Sequence, residues 1–191
     1  MLANSIGAQL FITRKGKLQL LRIGVPTTTP SVSIYPSDIL SNTLSISSRT
    51  NVVAATKLGY CKNYTTQDNL LTNIPVSHKD MFKSENEWYT KTVVDSTVQN
   101  RYKLEADTQQ KETLLLVGSE AEAEATRLNN YYKVPRTVYR FMGTSKLLSL
   151  ELGQEVSLVY PRFGLDAGVS GQIVSLTPKW ASSTIEIEVI V

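Results

Sequence analysis

Hydrophobic and polar residues alternate most plainly at the end of the chain. There Ile185, Ile187, Val189 and Val191 share one parity, and Glu186 and Glu188 the other. A period of two sets one row in a core and one in water, as in an antiparallel sheet or small barrel. Residues 146–152, 155–160, 172–176 and 184–191 therefore read as strands at short spacing, within a region that turns to β from Val138 onward. Near the start, residues 8–13 and 18–23 are apolar-rich and flank Arg14-Lys15-Gly16-Lys17. A glycine in that position supplies the positive φ of a tight turn and predicts a β-hairpin. Residues 24–36 carry Pro26, Pro30 and Pro36 among Ser and Thr. Proline cannot donate to a ladder, so this stretch reads as an extended connector or edge passage. Residues 38–48 and 52–64 are strand-like around the turn Arg49-Thr50-Asn51, and 65–73 form a loop. Residues 79–87 allow a short helical turn, and 88–104, rich in Val, Thr and Tyr, read as one or two strands.

One segment has helical character. Ser119 stands three residues before Glu122, the spacing of a capping box, and Glu120, Glu122 and Glu124 crowd the expected first turn. Ala121, Ala125 and Leu128 form a narrow apolar stripe, small enough for close seating on a sheet. The order of strands, one principal helix (about 119–131) and strands predicts an α+β, mostly antiparallel β protein with barrel-like character. The division expected is a β-rich domain over 1–137 and C-terminal strands over 138–191.

Composition adds exclusions. The 191 residues carry a formal net charge of +3 with scattered basic residues, which is no footprint for phosphate binding. The single cysteine, Cys61, excludes an intrachain disulfide and every multi-cysteine metal site. No apolar run approaches the ~20 residues that cross a bilayer, and the first ten residues lack the pattern of a signal peptide. No GxxxxGK[ST] or GxGxxG phosphate loop occurs.

Candidate chemistry is sparse. His78, the single histidine, sits among Ser77, Lys79 and Asp80 and reads as a solvated loop residue. Cys61 follows Tyr60 in a strand-like segment, where a small hydrophobe is expected rather than a nucleophile. Glu120, Glu122 and Glu124 stand two apart and point to different helix faces, which disfavours an acid–base pair. Asp95, Asp107 and Asp166 are isolated, without a calcium-loop pattern. The aromatics Tyr60, Tyr64, Trp88, Tyr89, Tyr102, Tyr131, Tyr132 and Tyr139 could form a stacking platform, but sheet packing is the commoner use. No catalytic, cofactor or metal residue is assigned.

Residues 148–191, LSLELGQEVSLVYPRFGLDAGVSGQIVSLTPKWASSTIEIEVIV, resemble the C-terminal segment of tail-tip hub proteins of long-tailed phages, prophages and gene-transfer particles. The residues carrying the resemblance are Gly153, Tyr160, Pro161, Arg162, Phe163, Gly164, Gly168, Gly171 and Trp180, with Leu150, Leu152, Val156, Leu158 and Leu165 between them. Gln154 replaces the usual Asp, and Ala181-Ser182-Ser183 replaces the usual turn. Earlier blocks are similar more loosely: residues 7–23, 52–67 (with 57–67 in place), 84–93 (with Tyr89 for the usual Arg) and 119–130. Each motif residue suits a scaffold. Gly153 makes a tight turn, Pro161 ends a strand, and Gly168 and Gly171 permit bends or bulges.

The resemblance implies a structural, non-enzymatic role in a hub ring that ends the tail tube and surrounds the DNA exit channel. It implies a homotrimer, contacts with distal tail ring, tail tube and tape-measure proteins, and viral DNA passing without sequence-specific binding. The location implied is the tail tip of the virion, after assembly in the host cytoplasm. The C-terminal strands would complete a tube barrel whose other strands lie upstream, Met1 then being a cut inside a longer protein. The rival readings are a receptor- or carbohydrate-binding tail-tip module, and a tail-associated peptidase or muralytic enzyme.

Overall fold

The computed structural model describes residues 2–22, 24–25, 30, 32–67, 69–70, 72–83, 87–105 and 109–191. By internal contacts they form two compact units, one of residues 1–8 and 53–133 and one of residues 9–52 and 134–191.

In the second unit, β1 (Ala8–Ile12) and β2 (Leu18–Arg22) form the expected hairpin, with Gly16 at φ +72° in its turn. A six-stranded sheet follows in the order β3-β9-β10-β11-β8-β4. Its strands are β3 (Val32–Ile34), β4 (Ser45–Arg49), β8 (Thr137–Gly143), β9 (Glu155–Tyr160), β10 (Leu165–Lys179) and β11 (Thr184–Ile190). The alternation at the C-terminus is realised: Ile185, Ile187 and Val189 are fully buried, and Glu186 and Glu188 lie on the other face. One core draws Ile34, Phe141, Val156, Leu158, Leu165 and Ile173 onto the same cluster.

The prolines of the connector bound a strand rather than exclude one. Pro30 and Pro36 flank β3, which pairs in parallel with β9 and buries Ile34 completely. Pro26 lies outside the described residues. Residues 146–152 are not a strand. A 3-10 turn over Ser145–Ser149 drops Leu147 and Leu150 into the core, where two close-spaced leucines serve better than alternation would. Within 38–48 the pairing is interrupted: Ile39 makes one bridge to Gly143, and the strand resumes only at Ser45. The ladder does not return from β4 to β3 among the described residues, so the sheet is open and no closed barrel is formed there.

The first unit holds a three-stranded sheet, β6-β5-β7, made of β5 (Ala55–Tyr60), β6 (Tyr89–Val94) and β7 (Gln110–Glu112). Like β3 with β9, β5 and β7 run in parallel, so both of these sheets are mixed, in an α+β protein whose other ladders in them are antiparallel. The principal helix, α4 (Gly118–Tyr132), lies on β5 and β6, with Ala125, Leu128 and Leu58 forming the seam. Three shorter helices, α1 (Leu2–Ser5), α2 (Val76–Phe82) and α3 (Ser96–Tyr102), accompany it. Residues 88–104 therefore end in a helix, started by the Asp95 carboxylate, which accepts the N–H groups of Thr97 and Val98. The turn expected over 79–87 is α2, shifted towards the N-terminus; residues 84–86 lie outside the described residues.

The capping box on α4 is not formed. Val117 occupies the N-cap without a side-chain acceptor, and Ser119 lies inside the first turn. The acids are spent differently: Glu122 pairs with Lys91 at 2.9 Å, and buried Glu124 takes two hydrogen bonds from Arg127 at 2.8 and 2.7 Å.

Candidate functional site in the C-terminal sheet

Pro161-Arg162-Phe163-Gly164 is the loop of the β9–β10 hairpin, whose mouth is closed by the pair Tyr160–Leu165. Pro161 lacks the N–H needed to extend β9. Phe163 and Gly164 both take positive φ (62° and 74°), and the Leu165 N–H donates to the Arg162 carbonyl at 3.2 Å. A phenylalanine in that region is strained by about 1–2 kcal/mol. Its ring lies 5.9 Å from that of Tyr139, a contact that offsets the strain and explains an aromatic there. Leu165 then enters the core, and Arg162 faces solvent.

Three glycines serve distinct contacts. Gly153 (φ +80°) lies under the Leu21 side chain of β2, where a Cβ would overlap that isobutyl group. Gly168 (φ +79°) sits in a bulge, since Leu165 and Val169 pair with Tyr160 and Leu158, so three residues oppose one. At Gly171 a Cβ would stand 2.6 Å from the Ile190 carbonyl oxygen of β11. Trp180 begins the β10–β11 turn and is 70% exposed, so it packs no core.

These residues do not converge on one site. The β9–β10 turn and the Trp180 turn lie at opposite ends of the 15-residue β10, a span of roughly 45 Å at ~3.3 Å per residue. They shape the two ends of one sheet, as a scaffold requires.

Chemistry elsewhere is similarly committed. His78 lies in α2, exposed; Cys61 is half-buried at φ +48°, its N–H donating to the Leu115 carbonyl at 2.7 Å. Asp95 serves as the cap of α3, Asp166 is exposed, and Asp107 lies outside the described residues. Among the described residues no group of three or more His, Cys, Asp or Glu is placed to hold a metal. A shallow cleft of about 250 Å³ is lined by Thr43, Ser45, Met142 and the Arg140–Glu186 ion pair. Its polar groups already satisfy one another, and it falls below the ~300 Å³ of ordinary ligand pockets. The aromatics mostly pack in pairs, Tyr60 with Tyr89 and Tyr131 with Tyr132. The Lys62 ammonium lies 5.0 and 5.6 Å from the ring centres of Trp88 and Tyr64, with Glu87 2.8 Å from it, and Tyr64 remains largely exposed.

Reading by spacing missed one buried charge. Asp38 is buried; its Oδ1 accepts from Lys146 Nζ at 2.9 Å and its Oδ2 from the Tyr35 N–H at 3.1 Å. Burial works to raise its pKa, but the Lys146 and Tyr35 hydrogen bonds and the Lys146 charge outweigh it, and the net shift is downward. The partners are 108 positions apart, and no local pattern announces them. Among the described residues, no helix is long and apolar enough to cross a membrane.

No protein-family model and no curated protein matches the chain. Among solved structures it is similar to a chain in the virion of a native gene transfer agent particle, with TM-score 0.58 and 12% identity, covering 98% of this chain and 37% of that one. It is also similar to prophage tail protein gp18 from Listeria monocytogenes EGD-e (TM-score 0.42, 15% identity, 96% of this chain and 48% of that one). A third likeness is to the tail protein from Neisseria meningitidis MC58 (TM-score 0.46, 12% identity, 99% and 52%). The chain thus spans about half or less of each of these proteins. The first likeness shows a shared fold, and at their TM-scores the other two carry no argument: this chain has the fold of part of a gene transfer agent virion protein.

Proposed function

We propose that the chain is a non-enzymatic structural component of a phage-type tail, forming part of the hub ring that ends the tail tube and surrounds the DNA exit channel. The observation that carries this reading is the shared fold with a virion chain over 98% of the present chain. The motif residues support it, because each is used to turn, bend or seat a strand. In this reading the open edges β3 and β4 of the six-stranded sheet are completed by other strands of the hub into a tube barrel. The assembly is a homotrimer that contacts distal tail ring, tail tube and tape-measure proteins. DNA passes it without sequence-specific contacts, at the tail tip of a virion assembled in the host cytoplasm.

Light scattering joined to negative-stain microscopy of the purified chain tests this. Ring-shaped trimers are expected, and a monomer at high concentration speaks against self-assembly. Cleared zones on cell-wall zymograms would overturn the non-enzymatic reading. The rival glycan-binding module would gather exposed aromatics in one groove. Tyr64 (74% exposed) and Trp180 (70% exposed) are the rings most open to it, and measurable glycan affinity of the purified chain would favour it.

A further inference from the structure

Two exposed apolar patches on this chain carry opposite charge. The first is on the β1–β2 hairpin. Leu10 and Ile12 stand at alternate positions of β1, and Leu18 and Leu20 at alternate positions of β2; they are 57%, 70%, 68% and 49% exposed. Leu21, of the other parity, is buried over Gly153, and Phe11 is half-buried. Ala8 at the start of β1 is itself buried, so the open aliphatic face is the stretch nearest the turn, Leu10 to Ile12 and Leu18 to Leu20. Exposed Arg14, Lys15 and Lys17 form its turn, and no acid occurs before Asp38. A two-stranded ribbon with one open aliphatic face is marginal in water without a covering surface.

The second patch is the segment between β7 and α4. Leu114, Leu116 and Val117 are exposed, Leu116 by 74%. Lys111 and Glu112 precede them, Glu120 and Glu122 follow on α4 with Glu122 held by Lys91 at 2.9 Å, and no Lys or Arg occurs from residue 112 to residue 126. The segment is held in place from behind. The Leu114 N–H donates to Ser5 Oγ at 2.8 Å, and the Leu115 carbonyl accepts the Cys61 N–H. It is a fixed apolar ledge with an acidic border.

We infer that the open face of the β1–β2 hairpin of one copy docks on the ledge Leu114–Val117 of a neighbouring copy, with Arg14, Lys15 and Lys17 facing Glu112 and Glu120. The inference rests on the reading of this chain as a self-assembling tail component and names the surfaces that join its copies. Two different surfaces meet, so the contact is heterologous, the type that generates rings when its rotation closes. Paired apolar centres supply adhesion, and the flanking charges set register and exclude hairpin-to-hairpin pairing.

The test uses the full chain and two variants, Ile12→Glu/Leu18→Glu and Leu116→Asp, in sedimentation velocity over a concentration series. All three substituted side chains are more than half exposed, and circular dichroism and the urea midpoint check that folding is retained. Each variant alone is expected to raise the midpoint concentration of self-association by roughly tenfold or more. The two variants mixed retain one intact pair of surfaces, so the expected product is a dimer and nothing larger. A second pair, Lys15→Glu/Lys17→Glu and Glu120→Lys, is expected to weaken assembly separately and to restore it when combined in one chain. If the unaltered chain assembles and the variants assemble equally well, the docking inference falls while the tail reading stands. If the variants are monomeric but their mixture stays monomeric, the heterologous pairing is wrong. If the unaltered chain is monomeric at every concentration, self-assembly and the inferred contact fail together.

Discussion

Replacing Gly171 with alanine adds one methyl group at a place with no room for it. Gly171 pairs with Val156 of β9, and its missing Cβ would lie 2.6 Å from the Ile190 carbonyl oxygen, 2.6 Å from Val191 Cγ1 and 2.7 Å from Val189 Cγ1. The side chains could turn aside, but the Ile190 carbonyl belongs to the backbone of β11, so relief requires the two strands to part. Overpacking of this kind costs about 1–3 kcal/mol, and the immovable backbone places Gly171→Ala at about 3 kcal/mol. Gly164 is the control: its φ is +74°, yet nothing stands within 4 Å of its Cβ position. Gly164→Ala therefore bears only the cost of the left-handed backbone, about 1 kcal/mol. For a chain of this size those losses correspond to roughly 6–12 °C and 2–4 °C in Tm. Urea and thermal unfolding followed by circular dichroism measure both. The reasoning is refuted if Gly171→Ala unfolds within about 0.5 kcal/mol of the parent, or if Gly164→Ala is the more damaging change.

Asp38→Asn removes the charge that holds Lys146 and is expected to cost about 1.5 kcal/mol at pH 7, the low end for a charged hydrogen bond because Lys146 is largely solvated. The Asp38 pKa is lowered on folding, so its contribution is present above the unfolded value of 3.8 and is lost as pH falls through the folded value. Acid titration of stability should accordingly show a smaller loss below pH 3.8 in the Asn variant than in the parent. Asp95→Ala removes the acceptor for the Thr97 and Val98 amides and the partner of Lys133 at the C-cap of α4 (3.5 Å). Hydrogen exchange should accelerate at those amides and along α3, and in α4 only at its last turn. Trp180→Ala should change stability by no more than about 0.5 kcal/mol, since the ring is largely in solvent; a larger loss would assign it a packing role the fold does not provide.

What was legible in the sequence were the elements whose local pattern and tertiary role agree. Strand β9 and the C-terminal alternation qualify, because one face of that sheet is core and the other water. The hairpin β1–β2, announced by Gly16 between two apolar runs, and the stripe Ala121, Ala125 and Leu128 also qualify. Elements decided by distant partners were not legible. Strand β3 exists because β9 offers it a parallel edge, although prolines surround it. The leucines of 146–150 look like a strand but fill the core from a 3-10 turn. Helix α3 was hidden by its β-branched residues; the available signal was Asp95, an N-cap residue directly before Ser96. The motif residues were readable as turn and bend makers. Their separation to opposite ends of β10 was not, because a 15-residue strand with bulges looks in sequence like a turn followed by a short strand.

Immunogold electron microscopy of tailed particles, with antibody raised against this chain, tests the central claim most directly. The account predicts label at the tail end away from the capsid, on every intact particle. Label along the tail shaft, on the capsid or absent from purified particles would contradict it.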